Sequence, residues 1–314
     1  NIFDFIERVN LSVCNRRSVE SLALSGAFDN FSEIKREDFF ELNNKSEQFI
    51  EVLMRYGGKH QADSQMQAVS LFGEDDLEII KPDIPNAPLW STHEKLSKEK
   101  DLVGVFISAH PLDKYHFEMN KICNIQSSDL KGDLSVLAQK GSLRLGGIVT
   151  SYREGRTKND NLYSVFTIED YAEGIEIPLF GQDFVNFNKY ISKDMYLLIH
   201  GVVQEKRRWR QDNTTKELEF KISKIDMLSE AKETVVKKID IDINIEDITE
   251  EFVSNFVQIV EKNKGNVNLY INVRDTNQRQ LNFFARNTLI GLTPDVLEFL
   301  FSLEKENVIT FTAS

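Results

Sequence analysis

The sequence predicts a multidomain chain: an α-helical region, then a five-stranded β-barrel, then a small α/β C-terminal domain. Three observations support this fold class. Apolar residues recur every three or four positions in the first part, alternate between residues 143 and 230, and show both periods in the last part. The length of 314 residues also suits more than one domain.

The composition is typical of a globular protein, with 41% hydrophobic and 28% charged residues. It excludes a disordered or collagen-like chain, and no apolar run reaches the ~18 residues that cross a bilayer. The first residues carry no initiator Met and no signal-peptide pattern, so we expect a chain cut from a longer one. Cys14 and Cys123 are too few for a disulfide framework, which fits a reducing cytoplasm.

The formal net charge of −12 is not what non-specific nucleic-acid binding predicts, but its distribution is uneven. Residues 143–230 hold 13 basic and 14 acidic residues, so this section is nearly balanced. It also contains the only dense basic cluster in the sequence, at residues 206–210. If the protein contacts a polyanion, the middle section is the place to look.

Residues 1–56 are predicted to form three helices. The first has an apolar face, the second spans residues 16–24 after Asn15 as N-cap, and the third spans residues 39–56. The face of the first helix comprises Phe3, Ile6, Val9 and Val13.

Residues 57–91 lose this periodicity and contain Gly57-Gly58, a polar run and three prolines, which predicts an exposed linker. The apolar pair Leu71-Phe72 within it has two interpretations: it folds back onto the helices, or it is a short docking peptide. Residues 92–142 are predicted to be a helical connector. It begins with a helix over residues 92–108, whose inward residues are Leu96, Leu102, Val105 and Phe106.

Between residues 143 and 230 the period changes to two, which indicates strands. Five short strands are predicted, with a helix over residues 183–191 between the third and the fourth. This order is that of an OB-fold barrel. Residues 231–314 alternate Ile239, Ile241, Ile243 and Ile245 with polar residues, then predict a helix, two strands and a last helix. They form the small α/β domain.

Signals for catalysis are weak. The sequence has no phosphate-binding glycine loop, no nucleophile elbow and no metal-spaced histidine and cysteine set. Asp240 and Asp242 share one face of a strand, so a metal held by both is conceivable. We favour an acidic solvent face opposite the isoleucine-lined one.

Signals for binding are stronger, and they fall in two barrel loops. Cations beside aromatic rings suit single-stranded nucleic acid, because charge meets phosphates and flat rings stack on bases. In an OB-fold both loops lie on the recognised face of the barrel, although simple solubilising charge is the plain alternative. The candidates are Arg153, Arg156, Lys158, Tyr163, Arg207, Arg208, Trp209 and Arg210. Phe166 and Phe180 lie in alternating strands and are predicted to be core residues.

Three blocks of the sequence resemble the alpha subunit of bacterial DNA polymerase III, in the order of that family. The first runs through residues 15–22 and 25–29. The second is residues 104–115, and the third joins residues 146–149, 156–158 and 168–170. The resemblance is specific over most of the chain and becomes vaguer after about residue 230.

The resemblance implies a replicative DNA polymerase, with this chain as the C-terminal third or so. Helices would grip duplex DNA, the OB domain would meet the single-stranded template, and the C-terminal domain would meet the tau subunit of the clamp loader. The palm aspartates that bind two metal ions in the family have no counterpart here. We therefore expect no catalytic residue, no nucleotide incorporation and no cofactor in this fragment, with Mg²⁺ implied for the full-length polymerase.

One departure from the family lies in the helix-hairpin-helix motifs, which bind duplex DNA through glycine-containing hairpins. The hairpin at residues 10–15 has no glycine. Arg16 and Arg17 stay candidate phosphate contacts, but duplex binding by this fragment is weakly supported.

The family also carries an internal peptide for the sliding clamp, with a Gln followed by Leu-Phe or Met-Phe. Here Gln67, Leu71 and Phe72 fit a six-residue version but not the commoner five-residue one. An apolar pair inserting into a pocket beside a polar anchor is a known mode of peptide docking. The β sliding clamp is therefore an expected partner.

Other functions remain open on the sequence. The acidic balance and the linker peptide also suit a protein-interaction scaffold without intrinsic DNA binding. An RNA-binding OB module of the tRNA-synthetase type leaves residues 110–112 and the linker without a role. A hydrolase using Asp240 and Asp242 is the weakest alternative.

Overall fold

The computed structural model describes residues 1–69, 80–206, 217–276 and 279–314. Two units, Asn1–Pro111 and Leu112–Ser314, are each built around their own apolar cores. The division falls inside the predicted connector of residues 92–142. None of the helices in the described ranges combines the length and apolar character that a membrane crossing requires.

The first unit is helical, and side-chain caps begin three of its four helices. These are α1 (Ile2–Arg8), α2 (Arg16–Leu24), α3 (Phe49–Val69) and α4 (Thr92–Val103). Asn15 accepts a hydrogen bond from the Ser18 amide, which confirms its predicted role as N-cap of α2. Ser91 caps α4, and the helix is closed by the left-handed backbone of its C-cap Gly104.

The core of this unit is made by one face each of α1, α2 and α3. Ile2 and Ile6 of α1 are fully buried, as are Ile50 and Leu53 of α3. The prediction was wrong for Val13, which is 75% exposed because α1 ends before it. Of the four predicted inward residues after position 91, Leu96 is buried, whereas Leu102 and Val105 are exposed.

Helix α3 extends 13 residues beyond the predicted end at residue 56, into the segment predicted to be a linker. The glycine pair does not break the helix, because Gly57 lies where α3 meets α1. A Cβ on Gly57 would approach Cγ2 of Ile6 to 2.4 Å, so the small residue permits the close contact. Residues 80–91, by contrast, contain no helix or strand.

A buried arginine holds the loops of the first unit together. Arg36 lies in a 3₁₀ turn (Arg36–Phe40) and donates to Asp29, to Glu99 of α4 and to Ser108. Glu99 is fully buried and also accepts from the amides of Ile107 and Ser108. Burial opposes the ionisation of Glu99, but the hydrogen bonds from Ser108, Arg36 and Ile107 outweigh it and lower its pKa to about 2.

The second unit begins with irregular turns and α5 (Leu134–Ala138), then forms a five-stranded antiparallel sheet. The predicted helix lies between the third and fourth strands as α6 (Gln182–Phe187). In space the strands lie in the order β3-β2-β1-β4-β5. They are β1 (Leu143–Arg156), β2 (Leu162–Glu169), β3 (Gly174–Phe180), β4 (Tyr196–Glu205) and β5 (Leu218–Met227).

No pairing among the described residues joins β3 to β5, so the sheet is not closed into the predicted barrel. A cavity of about 700 Å³ lies along these two strands. Its wall includes Ile177 and Leu179 of β3, Phe220 and Ile222 of β5, and Leu134 of α5. The five strands and their helix are therefore confirmed, whereas the closed barrel stays a prediction.

After the short helix α7 (Ala231–Thr234) the chain forms a second, mixed sheet in the order β8-β7-β6-β9. Its strands are β6 (Lys238–Asn244), β7 (Lys264–Arg274), β8 (Gln280–Ile290) and β9 (Ile309–Ala313). Its helices are α8 (Glu250–Lys262) and α9 (Pro294–Lys305). Ile239, Ile241 and Ile243 are buried as the alternation predicts, but Ile245 is exposed because it follows the strand.

Each sheet has an apolar core of its own, and Leu198 of β4 also packs into the core of the second sheet. Phe117 and Ile122 from the connector lie in this core with Leu198 of β4. Lys121 donates to Glu304 of α9 at 2.6 Å and to the Phe311 carbonyl at 2.9 Å. The connector is therefore part of the packing between the sheets rather than a spacer.

Both cysteines are free. Cys123 lies against Gly146 of β1, and burial raises the pKa of its thiol to about 12. At neutral pH this residue is a neutral, apolar packing group.

We predict that acid destabilises the first unit through Glu99. The ionised carboxylate contributes its full stabilisation above its unfolded pKa of 4.5, and this is lost as the pH falls towards about 2. A pKa difference of this size corresponds to roughly 3 kcal/mol of unfolding free energy. Urea unfolding at several pH values measures this loss of unfolding free energy. Unfolding of the first unit is followed by the fluorescence of Trp90 in a Trp209→Phe background, because Trp90 stacks on Phe40 inside this unit.

Glu99→Gln should lower the stability at neutral pH and reduce its acid dependence. The matched control is Glu94→Gln on the same helix, since Glu94 is half exposed and pairs with Lys98 on the surface. An acid dependence that Glu99→Gln leaves unchanged would contradict the prediction.

Candidate nucleic-acid interface

The outer face of β1, β2 and β3 brings several predicted binding residues together. Neighbouring residues of paired strands share a face, and three rows of this face follow from the register. One row is Ser151, Thr167 and Glu176; the next is Arg153, Val165 and Pro178; the last is Gly155, Tyr163 and Phe180. We call these nine residues the outer face.

Arg153 lies in the middle row, and it is paired across the sheet. Its Nη2 lies 3.2 Å from Oε2 of Glu176, and both side chains are more than 60% exposed. An ion pair this exposed is worth little, so a phosphate can replace the carboxylate at small cost. Arg153 is therefore available to a polyanion, but it lies within β1 rather than in the predicted loop, because β1 is longer than the sequence suggested.

Arg156 and Lys158 lie where β1 turns into β2. Arg156 pairs with Asp160 at 2.9 Å, and Asp160 has a left-handed backbone within this turn. Lys158 is exposed. The turn thus places two cations beside the last row of the outer face, and one of them carries an acidic partner.

Of the two phenylalanines predicted to be core residues, one is buried and the other is exposed. Phe166 is fully buried, as predicted. Phe180 is 53% exposed, so its assignment to the core was wrong. Ile177 and Leu179 of the same strand point inward, and the residue after Leu179 must point outward. That parity was visible in the sequence and would have identified Phe180.

Tyr163 and Phe180 lie side by side on the outer face. Their ring centroids are 5.5 Å apart and the rings are inclined by 28°, which is a stacked arrangement. Tyr163 is half-buried. The predicted stacking ring therefore has an aromatic neighbour that the sequence analysis missed.

A buried aspartate fixes the turn that joins β2 to β3. Asp170 accepts hydrogen bonds from the amide and hydroxyl of Ser127 at 2.6 and 2.7 Å, and from the Ala172 amide at 2.8 Å. Asp170 is the last residue of the third resemblance block, so its presence there has a structural explanation. By holding this turn, Asp170 holds the register that sets Tyr163 opposite Phe180.

The second predicted loop, with Arg207, Arg208, Trp209 and Arg210, lies outside the described residues. The same is true of Leu71 and Phe72 in the clamp peptide, whereas Gln67 falls in the last turn of α3. These residues stay predictions.

The two arginines of the first unit differ in their surroundings. Arg16 is bonded to Gln48 at 2.8 Å and to Glu51 at 2.6 Å. Arg17, one residue further along α2, is exposed. Arg17 is therefore the stronger candidate for a phosphate contact in this unit.

The described residues do not offer a metal centre that fits a polymerase. They contain no group of three or more His, Cys, Asp or Glu side chains placed to share an ion. Asp240 lies 2.9 Å from Lys238, and Asp242 lies 3.1 Å from Arg274. These pairs match the solvent face that the sequence favoured over a metal site.

Comparisons with known proteins bear on the whole chain. Residues 239–311 match the family model described as DNA polymerase III alpha subunit, C-terminal domain. The DNA polymerase III subunit alpha of Haemophilus influenzae is 26% identical over 279 residues, which cover 87% of this chain and 22% of that protein. That of Neisseria meningitidis serogroup A is 31% identical over 202 residues, covering 64% of this chain and 16% of that protein.

The chain is similar over most of its length to DNA polymerase III alpha subunits, and residues 239–311 match the C-terminal domain of that family. The chain spans about a fifth of the length of the alpha subunits from Haemophilus influenzae, Pasteurella multocida and Vibrio cholerae. The mitochondrial single-stranded DNA binding protein Rim1 of S. cerevisiae covers 28% of this chain and 94% of its own at 17% identity. Its TM-score of 0.20 is too low to support an argument.

We predict that Asp170→Ala destabilises the second unit by about 2 kcal/mol, because it leaves the buried amide of Ser127 without its acceptor, whereas the Ser127 hydroxyl keeps the Glu173 carbonyl. Urea unfolding followed by circular dichroism measures the change. Glu173→Ala in the same turn is the control, since it removes only the exposed pair with Lys131 and should cost less than ~0.5 kcal/mol. Equal losses from the two variants would contradict the role of Asp170.

Proposed function

We propose that this chain is a DNA-contacting and partner-docking part of a replicative DNA polymerase, and that the outer face binds the single-stranded template. The observation that carries the proposal is the position of Arg153 on the same open sheet face as the Tyr163–Phe180 pair, with Arg156 and Lys158 where β1 turns into β2. Similarity to DNA polymerase III alpha subunits supports a role in DNA replication.

The finer fold supports the same function. The strand order and the helix between β3 and β4 are those of an OB-fold, which binds oligonucleotides on the outer face of its second and third strands. The proposal takes the five-stranded sheet as an OB domain. It also assigns Arg207, Arg208, Trp209 and Arg210, after β4, to the same binding surface on the sequence pattern alone.

The activity of the whole protein is part of the proposal. Relatives of this chain are DNA polymerase III alpha subunits, so the complete chain is proposed to be a DNA-directed DNA polymerase that uses Mg²⁺. Nucleotide incorporation and its metal ions are proposed to belong to other parts of that chain, because the palm aspartates of the family have no counterpart in this sequence.

Two protein partners complete the proposal. The peptide with Gln67, Leu71 and Phe72 is proposed to dock the β sliding clamp, and the C-terminal sheet is proposed to meet the tau subunit of the clamp loader. Support for the first comes from the motif and from the family, and for the second from the match of residues 239–311 to the family's C-terminal domain.

One observation favours a scaffold without intrinsic DNA binding. Arg153 and Arg156 each face an acidic partner, Glu176 and Asp160, so the face is closer to neutral than its arginines suggest. If these pairs persist, the sheet is a spacer and its partners are proteins alone. The two functions differ in whether the chain binds an oligonucleotide.

We predict that the 314-residue chain binds single-stranded DNA with micromolar or weaker affinity that falls as salt rises. Replacing Arg153, Arg156 and Lys158 by Ala should weaken binding and reduce the slope of log affinity against log salt by about 2, at ~0.7 for each phosphate contact. Fluorescence anisotropy with a labelled oligonucleotide at several salt concentrations measures both quantities.

A triple variant with the same change in net charge provides the control. Lys140, Lys189 and Lys193 are exposed on the same unit but lie outside the outer face. Their replacement by Ala should leave the salt slope within error. Equal effects from the two triple variants, or no binding by the parent chain at low salt, would leave the scaffold as the function.

We also predict that the clamp contact depends on the apolar pair of the peptide. Leu71→Ala with Phe72→Ala should abolish clamp binding, because the pair supplies the apolar anchor of such a peptide. Surface plasmon resonance on an immobilised clamp measures it. Leu89→Ala with Ile80→Ala, two exposed apolar residues between this peptide and α4, is the control and should bind normally. Clamp binding that survives in the first variant would rule out this peptide.

A further inference from the structure

The last row of the outer face contains, beside the Tyr163–Phe180 pair, a glycine that the proposed function does not use. Tyr163 lies between Phe180 on β3 and Gly155 on β1. An ideal Cβ on Gly155 would lie 2.8 Å from Cζ and Oη of Tyr163 and 2.9 Å from Cε1. The tip of the tyrosine ring therefore lies over the bare backbone of β1, in space that any other residue would fill.

The row leaves aromatic surface open. Phe180 is 53% exposed, although a buried position would stabilise the protein more. Cross-strand aromatic pairs do stabilise sheets on their own, so stacking between the two rings is not by itself a sign of function. The additional observations are Arg153 in the adjoining row of the same face and the bare backbone of Gly155 opposite Tyr163.

The second sheet contains a comparable pair in a different setting. Tyr270 and Phe284 are stacked with centroids 4.6 Å apart, and Phe284 is 43% exposed. The residue opposite Tyr270 on β6 is Asp240, a carboxylate, whereas the residue opposite Tyr163 on β1 is Gly155. Asp240 is neutralised by Lys238 at 2.9 Å, and Nζ of Lys238 lies 5.6 Å from the centroid of the Tyr270 ring, so this pair also has a cation beside it. The two pairs therefore differ in the residue opposite the tyrosine, which is a carboxylate in the second sheet and bare backbone in the first.

We propose that Tyr163 and Phe180 form a two-ring platform on which unpaired bases of a single-stranded nucleic acid stack, and that Gly155 is the positioning residue that lets the tip of the Tyr163 ring lie over β1. This inference rests on the proposed function and identifies the part of the ligand that the face recognises. The bases, rather than the phosphates alone, supply the affinity.

The charges around the platform favour recognition of bases. Arg153 and Arg156 must exchange Glu176 and Asp160 for phosphates, so the net electrostatic gain of each contact is reduced. A base that stacks on Phe180 does not have to displace a carboxylate, because it displaces only water from the exposed part of the ring. Stacking is also tolerant of sequence, since every base has a flat face.

The platform is tested by comparing two oligonucleotides with the same number of phosphates, an oligothymidine and one with abasic sites, on the 314-residue chain. We expect the parent chain to bind the oligothymidine roughly 5- to 100-fold more tightly, the range that stacking of one base gives. Phe180→Leu and Tyr163→Leu should remove most of this difference. Phe284→Leu, from the second pair, should retain it.

Gly155→Val tests the positioning role. Gly155 has an extended backbone within β1 that valine also favours, so the variant should keep the melting temperature of the parent while its side chain displaces the tyrosine ring. We expect the preference for bases to fall as in Tyr163→Leu. Photo-cross-linking of 5-iodouracil DNA should lose its Tyr163 adduct and keep its Phe180 adduct.

Several outcomes separate this inference from the proposed function. If the arginine and lysine variant weakens binding while abasic DNA binds as tightly as oligothymidine, the face binds DNA and the platform is wrong. Equal losses from Phe180→Leu and Phe284→Leu would also overturn it, and so would an unchanged base preference or Tyr163 adduct in Gly155→Val. If no oligonucleotide binds at low salt, the proposed function itself fails.

Discussion

Strand β1 is the constraint on which the candidate interface depends. Its first half pairs with β4 and its second half with β2, with an irregularity in register between Val149 and Ser151. One strand of 14 residues therefore belongs to both halves of the sheet and must bend between them. This bend carries the second half of β1, with Arg153 and Gly155, onto the face that β2 and β3 complete.

Two buried carboxylates, Glu99 in the first unit and Asp170 in the second, hold irregular backbone in place by the same physical means. Each accepts hydrogen bonds from backbone amides and from a serine hydroxyl. A buried carboxylate is costly unless it is fully hydrogen-bonded, so such a residue stabilises one arrangement of the loops and penalises others. Asp170 lies in the third resemblance block, and Ser108, a partner of Glu99, lies in the second. The similarity of these blocks to the family thus reflects loop geometry as well as any contact with DNA.

The sequence predicted the regular elements well where local signals agreed. Asn15 and the alternating strands gave α2 and the five strands of the first sheet correctly, because caps and side-chain parity are properties of a few neighbouring residues. The errors came where distant contacts decide. Gly57 looked like a helix end until its contact with Ile6 was known, and nothing local shows that Arg36 is buried, since Glu99 lies 63 residues away. Phe180 was missed for a different reason, because its hydrophobicity was given more weight than its parity.

The same reasoning explains why the interface could be located from the sequence but not its mode of recognition. Cations near an aromatic residue were visible at Arg153, Arg156 and Tyr163. Their acidic partners were not, because Glu176 meets Arg153 only across two strands of the folded sheet. Once those pairs are counted, the charge available to phosphates is smaller than the sequence suggests, while the aromatic surface is larger by the exposed ring of Phe180. The balance between the two contributions therefore shifts from the backbone of a nucleic acid towards its bases.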